Sequence, residues 1–317
     1  MTKKTGILLL GLILLFTKLS AQEATHVLHV SGQVQYYAQH GAKPALVKPG
    51  MSLGLSGKLR CKGAATAKLL YNGKTFVVSG GKMRNLSEIV KNGQNGSNMG
   101  FTGRFFDFLT ESIKEGDNKE QLQKHHRRYM NKTSGGIKGY AKQEYAIAPL
   151  LVTSGNLPSA NVIFKWRNIR GDGPYTFLLL AETGKPVAQI LTRDTAITLD
   201  LDQLAISLDE EYQWSVTRGG GAAKSVGVPF YHNPQAVANS LANLTQDPAY
   251  QSASELEQQL MQAYALEENR CYFSADQIYA RLLATDSENL LLRKTYATFL
   301  ARMDMLPEAN ELFFQRK

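Results

Sequence analysis

His26 and His29 have the numerical spacing of a metal-binding pair. They fall in a strand pattern, where residues i and i+3 point to opposite faces and cannot share an ion. His125-His126-Arg127-Arg128 sets imidazoles beside guanidiniums on a polar helix. Neighbours there diverge by about 100°, so the run reads as a solvated basic face. Ser79-Gly80-Gly81-Lys82 matches the S-x-x-K nucleophile by letter. That chemistry needs the Ser to open a helix, which two glycines oppose. There is no phosphate-binding glycine loop, and no His or second Cys near Cys61 to activate it. The carboxylate pairs Glu210-Glu211 and Glu267-Glu268 read as solvated faces of a turn and a helix. No catalytic residue, cofactor or metal is expected, and the chain reads as a non-enzyme.

What remains suits binding. Phe105, Phe106 and Phe108 crowd one helical turn, which either packs on a neighbouring domain or forms an exposed partner-binding patch. Tyr36, Tyr37, Lys58, Arg60 and Lys62 sit in a basic, strand-rich front. Residues 22–90 carry nine Lys and Arg against Glu23 and Glu88, whereas residues 231–317 carry seven against eleven acids. A basic front with an acidic rear argues for an anionic envelope surface, an acidic glycan or an acidic protein partner, rather than nucleic acid.

Compartment and domain count come from the rest of the 317 residues. Lys3 and Lys4, the apolar Gly6 to Phe16 and the small residues of Leu19-Ser20-Ala21 make residues 1–21 a secretory signal peptide, cleaved near Ala21. That places the mature chain in the periplasm, at the cell surface or outside the cell. No Cys follows the cleavage point, which argues against a lipid anchor, and no later run is long enough for a transmembrane segment. Cys61 and Cys271 read as buried free thiols in different domains. Asn85, Asn131 and Asn243 head N-x-S/T triplets, relevant only where the secreting cell glycosylates them.

From Val27 to Gly80, short alternating segments are punctuated by glycines: Val30-Ser31-Gly32-Gln33-Val34, Lys48-Pro49-Gly50, Gly57-Lys58-Leu59-Arg60 and Gly63-Ala64-Ala65-Thr66-Ala67. Asn72-Gly73 supplies a type I′ hairpin turn, whose two central residues need positive φ. The order resembles the FecR-type periplasmic β domain, here over residues 22–90. Residues 91–148 read as a partly helical connector. Asn92 to Asn98 forms a loop, Arg104 to Ile113 has helical spacing, Asn118 caps a second helix, and Thr133-Ser134-Gly135-Gly136 breaks it.

A second β pattern covers residues 149–228. Strands are expected at Val162–Trp166, Tyr175–Leu180, Val187–Leu191, Ala196–Leu201 and Tyr212–Val216, with turn signals about every ten residues. Phe164-x-Trp166 early and Tyr212-x-Trp214-x-Val216 late make this segment resemble an immunoglobulin-like β-sandwich of the fibronectin type III kind, without a disulfide.

Residues 232–317 are helical, with matched residues 34 apart: Ala263 and Ala297, Ala275 and Ala309, Tyr279 and Phe313, Leu266 and Leu300, Leu256 and Leu290. Small residues at two fixed places let antiparallel helices approach closely, and the aromatic wedges between them. The pattern resembles two tetratricopeptide repeats. Two such repeats need further support, from residues 236–244, the sandwich or another chain.

The expected fold is therefore multidomain β + α: an all-β FecR-like domain, an Ig-like sandwich and C-terminal tetratricopeptide-like α-hairpins. These resemblances imply an exported scaffold or adaptor of the bacterial cell envelope that binds protein partners through its Ig-like and tetratricopeptide-like modules. An extracytoplasmic FecR-like sensory component and an envelope glycan-binding protein are the alternatives.

Overall fold

The computed structural model describes residues 23–38, 43–92, 100–132, 147–158, 161–168, 173–204, 206–219 and 223–314. The expected leader at 1–21, most of the expected loop at 92–98 and the helix break at 133–136 lie outside them. No helix among the described residues is long and apolar enough to cross a membrane.

The front of the chain forms β1 (Ala24–Ser31), β2 (Val34–Tyr37), β3 (Ala45–Leu46), β4 (Ser52–Gly54), β5 (Lys58–Cys61), β6 (Thr66–Tyr71), β7 (Lys74–Ser79) and β8 (Arg84–Asn85), then helix α1 (Leu86–Asn92). They make two four-stranded antiparallel sheets, ordered β4-β1-β6-β7 and β3-β2-β5-β8. Asn72 and Gly73 turn β6 into β7 with φ of 49° and 70°, as the turn chemistry requires. Val27, Val34, Leu59, Cys61, Leu69 and Val78 fill the space between the sheets, with Leu86 and Val90 at one side.

One of these sheets is covered twice. β1 is buried continuously from Thr25 to Leu28 rather than at alternate residues, because its two faces meet different neighbours. Val27 and Leu69 belong to the core of the β domain, whereas Leu28 and Leu70 belong to the large core of the rest of the molecule. His26 pairs with Leu70 across the sheet, and a register shift between Val27 and His29 leaves His26 buried and His29 exposed.

Two helices follow, α2 (Phe101–Glu115) and α3 (Lys119–Lys132), the latter capped by the Asn118 side chain accepting from Gln121 N–H at 3.0 Å. Next come β9 (Ile147–Pro149), β10 (Gly155–Leu157), β11 (Asn161–Asn168), β12 (Tyr175–Ala181), β13 (Pro186–Thr192), β14 (Ala196–Asp200), β15 (Glu211–Arg218), β16 (Ala223–Lys224) and β17 (Val228–His232). One sheet runs β14-β11-β9 and the other β10-β17-β15-β12-β13, with β16 beside β15. All pairings are antiparallel except β10 with β17. The two sheets meet through Phe164 of β11, whose ring lies 5.3 Å from Phe177, 5.5 Å from Trp214 and 5.8 Å from Phe230. The expected strands are present, and β9 and β17 extend the layered region to Ile147 and His232.

Helices α4 (Pro234–Thr245), α5 (Pro248–Gln251), α6 (Glu255–Glu268), α7 (Tyr272–Thr285), α8 (Leu290–Arg302) and α9 (Leu306–Phe314) complete the chain. A capping box of Ser254 and Glu257 opens α6, and Asn289 caps α8. The residues 34 apart occupy matching places: Ala263 of α6 and Ala297 of α8 are fully buried, as are Ala275 of α7 and Ala309 of α9. Support for these hairpins comes from within the chain. Helices α2 and α3 pack on α8, α4 packs on α6, and α7 meets β10. The helical body is thus assembled from two stretches of chain with the β-sandwich between them.

Candidate partner-binding surface

The aromatic turn of the connector lies inside the molecule. Phe105 and Phe106 are buried, and the half-buried Phe108 ring lies 4.7 Å from Tyr264 of α6. Arg302 of α8 stands 5.0 Å from the centre of the Phe108 ring as a cation–π partner. No exposed patch forms here, because these rings wedge between α6 and α8. Burying Phe105, Leu109 and Ile113 contributes about 1.5–3 kcal/mol each, more than any surface ion pair on the same helix.

Charges surround this wedge. Arg302 donates to Glu267 Oε2 at 2.6 and 3.2 Å, and the Tyr279 hydroxyl donates to Glu267 Oε1 at 2.8 Å. Burial opposes the Arg302 charge, but the Glu267 carboxylate outweighs it and the guanidinium pKa is raised. Glu268 takes a forked pair of hydrogen bonds from Arg104 of α2 at 2.8 and 3.1 Å. Glu267 and Glu268, expected to be solvated, are instead paired with α8 and α2. The basic run on α3 is partly internal as well. His125 is buried, and His126 lies 2.6 Å from Asp304. Glu111, Glu115 and His125 come within metal-ligand distance of one another, but Arg128 pairs with both carboxylates and supplies the positive charge there.

The front domain docks on the helices through a second polar node. Lys294 of α8, only 4% exposed, donates to Gly50 O at 2.9 Å and pairs with Asp117. His26 lies beside it, 2% exposed and 3.1 Å from Ser52 Oγ. Burial, followed by the nearby Lys114 and Lys294 charges, lowers its pKa to about 4, so His26 is neutral at ordinary pH. Lys68 of β6 reaches Glu257 of α6 at 2.6 Å.

The basic residues come together on the opposite side of the front domain. In the β2–β5 ladder Tyr37 stands opposite Lys58, and Gln35 stands opposite Arg60. Directly opposed side chains share a face. Lys58 and Arg60 are exposed while Leu59 and Cys61, which alternate with them, are buried, and exposed Lys62 continues the alternation. Leu46 of β3, opposite Gln35, adds an aliphatic group that is 53% exposed. Arg60 Nε donates to the Gly81 carbonyl at 3.3 Å. Among the described residues, no carboxylate lies within ion-pair distance of Lys58, Arg60 or Lys62. One aromatic, one aliphatic and three cationic side chains therefore share an outward sheet face.

No protein family matches the chain, and no curated protein does either.

Among the residues expected on the basic front, Tyr36 is the exception. It is in phase with inward-facing Val34, donates to Gly54 O at 3.1 Å, and fills the space that a Cβ on Gly57 would need. Its role is to pack the turn beneath the basic face. No spacing signal connects Lys294 with Gly50 and Asp117, or Glu257 with Lys68, because those partners lie far away in sequence. Cys61 and Cys271 are both free and buried, and burial pushes the Cys271 thiol up to about 11.

Proposed function

We propose that this chain is an exported, non-enzymatic scaffold or adaptor of the bacterial cell envelope, and that it engages an acidic partner through the outward face of Tyr37, Lys58, Arg60 and Lys62. The observation that carries the reading is the β2–β5 register, which gathers those side chains on one face with no carboxylate in ion-pair distance among the described residues. Cations held on a rigid sheet, beside Tyr37 and Leu46, suit an anionic surface that also offers some apolar contact. The front domain is the FecR-like part of this proposal, the two sheets around Phe164 its Ig-like part, and α6 to α9 its tetratricopeptide-like part.

The proposal also specifies what the helical hairpins do. The connector helix α2 lies against α6 through Phe105, Phe108 and Tyr264, and both α2 and α3 pack on α8. In this reading they hold the front domain in a fixed pose, and the partner meets the basic sheet face.

The test is recovery of envelope proteins on the immobilised mature chain, against the variant Lys58→Glu/Arg60→Glu/Lys62→Glu. All three side chains are exposed, so the variant keeps its fold. Wild type is expected to retain an acidic partner at low salt and release it as salt rises, since exposed charges are screened beyond ~10 Å at 0.1 M. The variant is expected to retain none. Equal recovery by both chains, or recovery indifferent to salt, would sink the proposal.

A further inference from the structure

A cleft of about 380 Å³ opens between α2, α4, α6 and β10, away from the basic face. Its walls come from three separate stretches of the chain, and four of its twelve lining residues are asparagines: Asn156, Asn239, Asn243 and Asn269. Arg104 lines it, but its guanidinium is forked onto Glu268, which also accepts from the Tyr264 hydroxyl at 2.8 Å. Asp247 is likewise committed, accepting from Ala249 N–H at 2.8 Å and from the Thr102 hydroxyl at 3.3 Å. The charges at the cleft are thus already paired or capped by the protein.

The amides are only half used. Asn156 donates its NH2 to Asn269 O at 2.9 Å, and Asn269 donates its own to Ala265 O at 2.8 Å, which leaves both side-chain carbonyls as acceptors. Asn239 accepts from Gln235 at 2.7 Å, which leaves its NH2 as a donor. Asn243, one helical turn further along α4, adds a complete amide. The half-buried Phe101 ring stands beside them, held in place by Phe105 and by Tyr264 at 5.5 Å.

We propose that this cleft binds a short neutral saccharide. Sugar hydroxyls both donate and accept, and so complement spare acceptors and donors set side by side, while a ring face can lie on Phe101. A phosphate or carboxylate finds no free cation here, because the Arg104 charge is spent on Glu268. The volume lies at the low end of the ~300–1,000 Å³ usual for small-molecule sites. Walls built on helices and a strand keep the amides in place without a ligand.

The test is saturation-transfer NMR on the mature chain with cellobiose and N,N′-diacetylchitobiose as neutral saccharides and triglycine as a peptide-backbone probe. Asn239 and Asn243 are exposed on α4, so Asn239→Ala/Asn243→Ala keeps the helix. Phe101→Leu is the second variant. Transfer to at least one neutral saccharide is expected for wild type, with affinity weakened roughly tenfold by the double substitution and weakened again by Phe101→Leu. Three outcomes would overturn the proposal: no transfer to either saccharide, transfer unaffected by both variants, or binding of triglycine alone. Because the basic face plays no part in this cleft, Lys58→Glu/Arg60→Glu/Lys62→Glu is expected to bind the saccharide as wild type does. Loss of saccharide binding in that variant, with its fold intact, would overturn the assignment to this cleft.

Discussion

Gly50 and Leu291 approach so closely that a side chain at residue 50 has nowhere to go. A Cβ built on Gly50 would lie 2.4 Å from the backbone nitrogen of Leu291, and Gly50 also holds φ at +82°. The Pro49-Gly50 turn of the front domain thus rests directly on the first turn of α8. Its carbonyl accepts from Lys294 one turn further along. Steric and conformational demands meet at one residue, so the docking of the front domain depends on it.

Gly50→Ala is therefore expected to separate the front domain from the helices while each retains its own core. The positive φ and the overlap together cost about 2 kcal/mol or more. Chemical denaturation should split into two transitions, and proteolysis should cut between the bodies. A single transition at the wild-type midpoint would contradict this.

His26 makes the same interface sensitive to acid. Its folded pKa of about 4 lies below the unfolded value of 6.5. Between those values the unfolded chain binds the extra proton. Stability is therefore full above pH 6.5, falls as pH drops towards 4, and levels off below that. The loss attributable to this group is at most about 3 kcal/mol. The charges facing it are Lys114, Lys294 and Asp117, and Ser52 is its hydrogen-bond partner. Urea midpoints of wild type and His26→Asn across this range should converge at low pH, and parallel curves would remove His26 as the cause.

Glu267 and Arg302 form a buried pair, and removing one member should cost more than removing both. Glu267→Ala leaves the guanidinium without its carboxylate, at about 3–5 kcal/mol. Glu267→Ala/Arg302→Met is expected to recover much of that loss, as Met keeps contact with Phe108. Urea denaturation of the four chains in the cycle measures the coupling. A double variant no better than Glu267→Ala would show that packing rather than charge dominates there.

Arg104→Ala should do little. The Arg104 side chain is 57% exposed and its Glu268 partner 29%, so the pair contributes about 0.2–1 kcal/mol. Phe105→Ala on the same helix should cost about 3–5 kcal/mol through the cavity it leaves. Thermal melts of the two variants compare these directly. Equal losses would mean that ion pairing rather than burial holds α2 in place.

Local chemistry was legible in the residue order. The Asn72-Gly73 turn, the Asn118 cap, the strands flanking Phe164 and Trp214, and the alanines 34 apart each depend on residues close in sequence or on a fixed period. Alternation also separates Tyr36, in phase with Val34, from Tyr37, in phase with the exposed face. That signal was available, and the expectation that grouped the two tyrosines passed over it.

Long-range partnership was not legible. Glu267 and Glu268 have the pattern of solvated acids until Arg302 and Arg104 are brought to them from other helices. The run of His125 and His126 looks like a polar face until α8 and its following turn close over it. The amides of the cleft lie on β10, on α4 and at the C-terminal cap of α6, and no spacing connects them.

Residue order by itself determined the elements and the basic character of the front, because turn geometry, caps and side-chain alternation are set within a few residues. Only the tertiary structure decided that α2 and α3 join helices more than a hundred residues away, that β1 buries both faces, and that Gly50 must lack a side chain. Those outcomes depend on which apolar surfaces find each other once the chain has collapsed, and burial is not directional along the sequence.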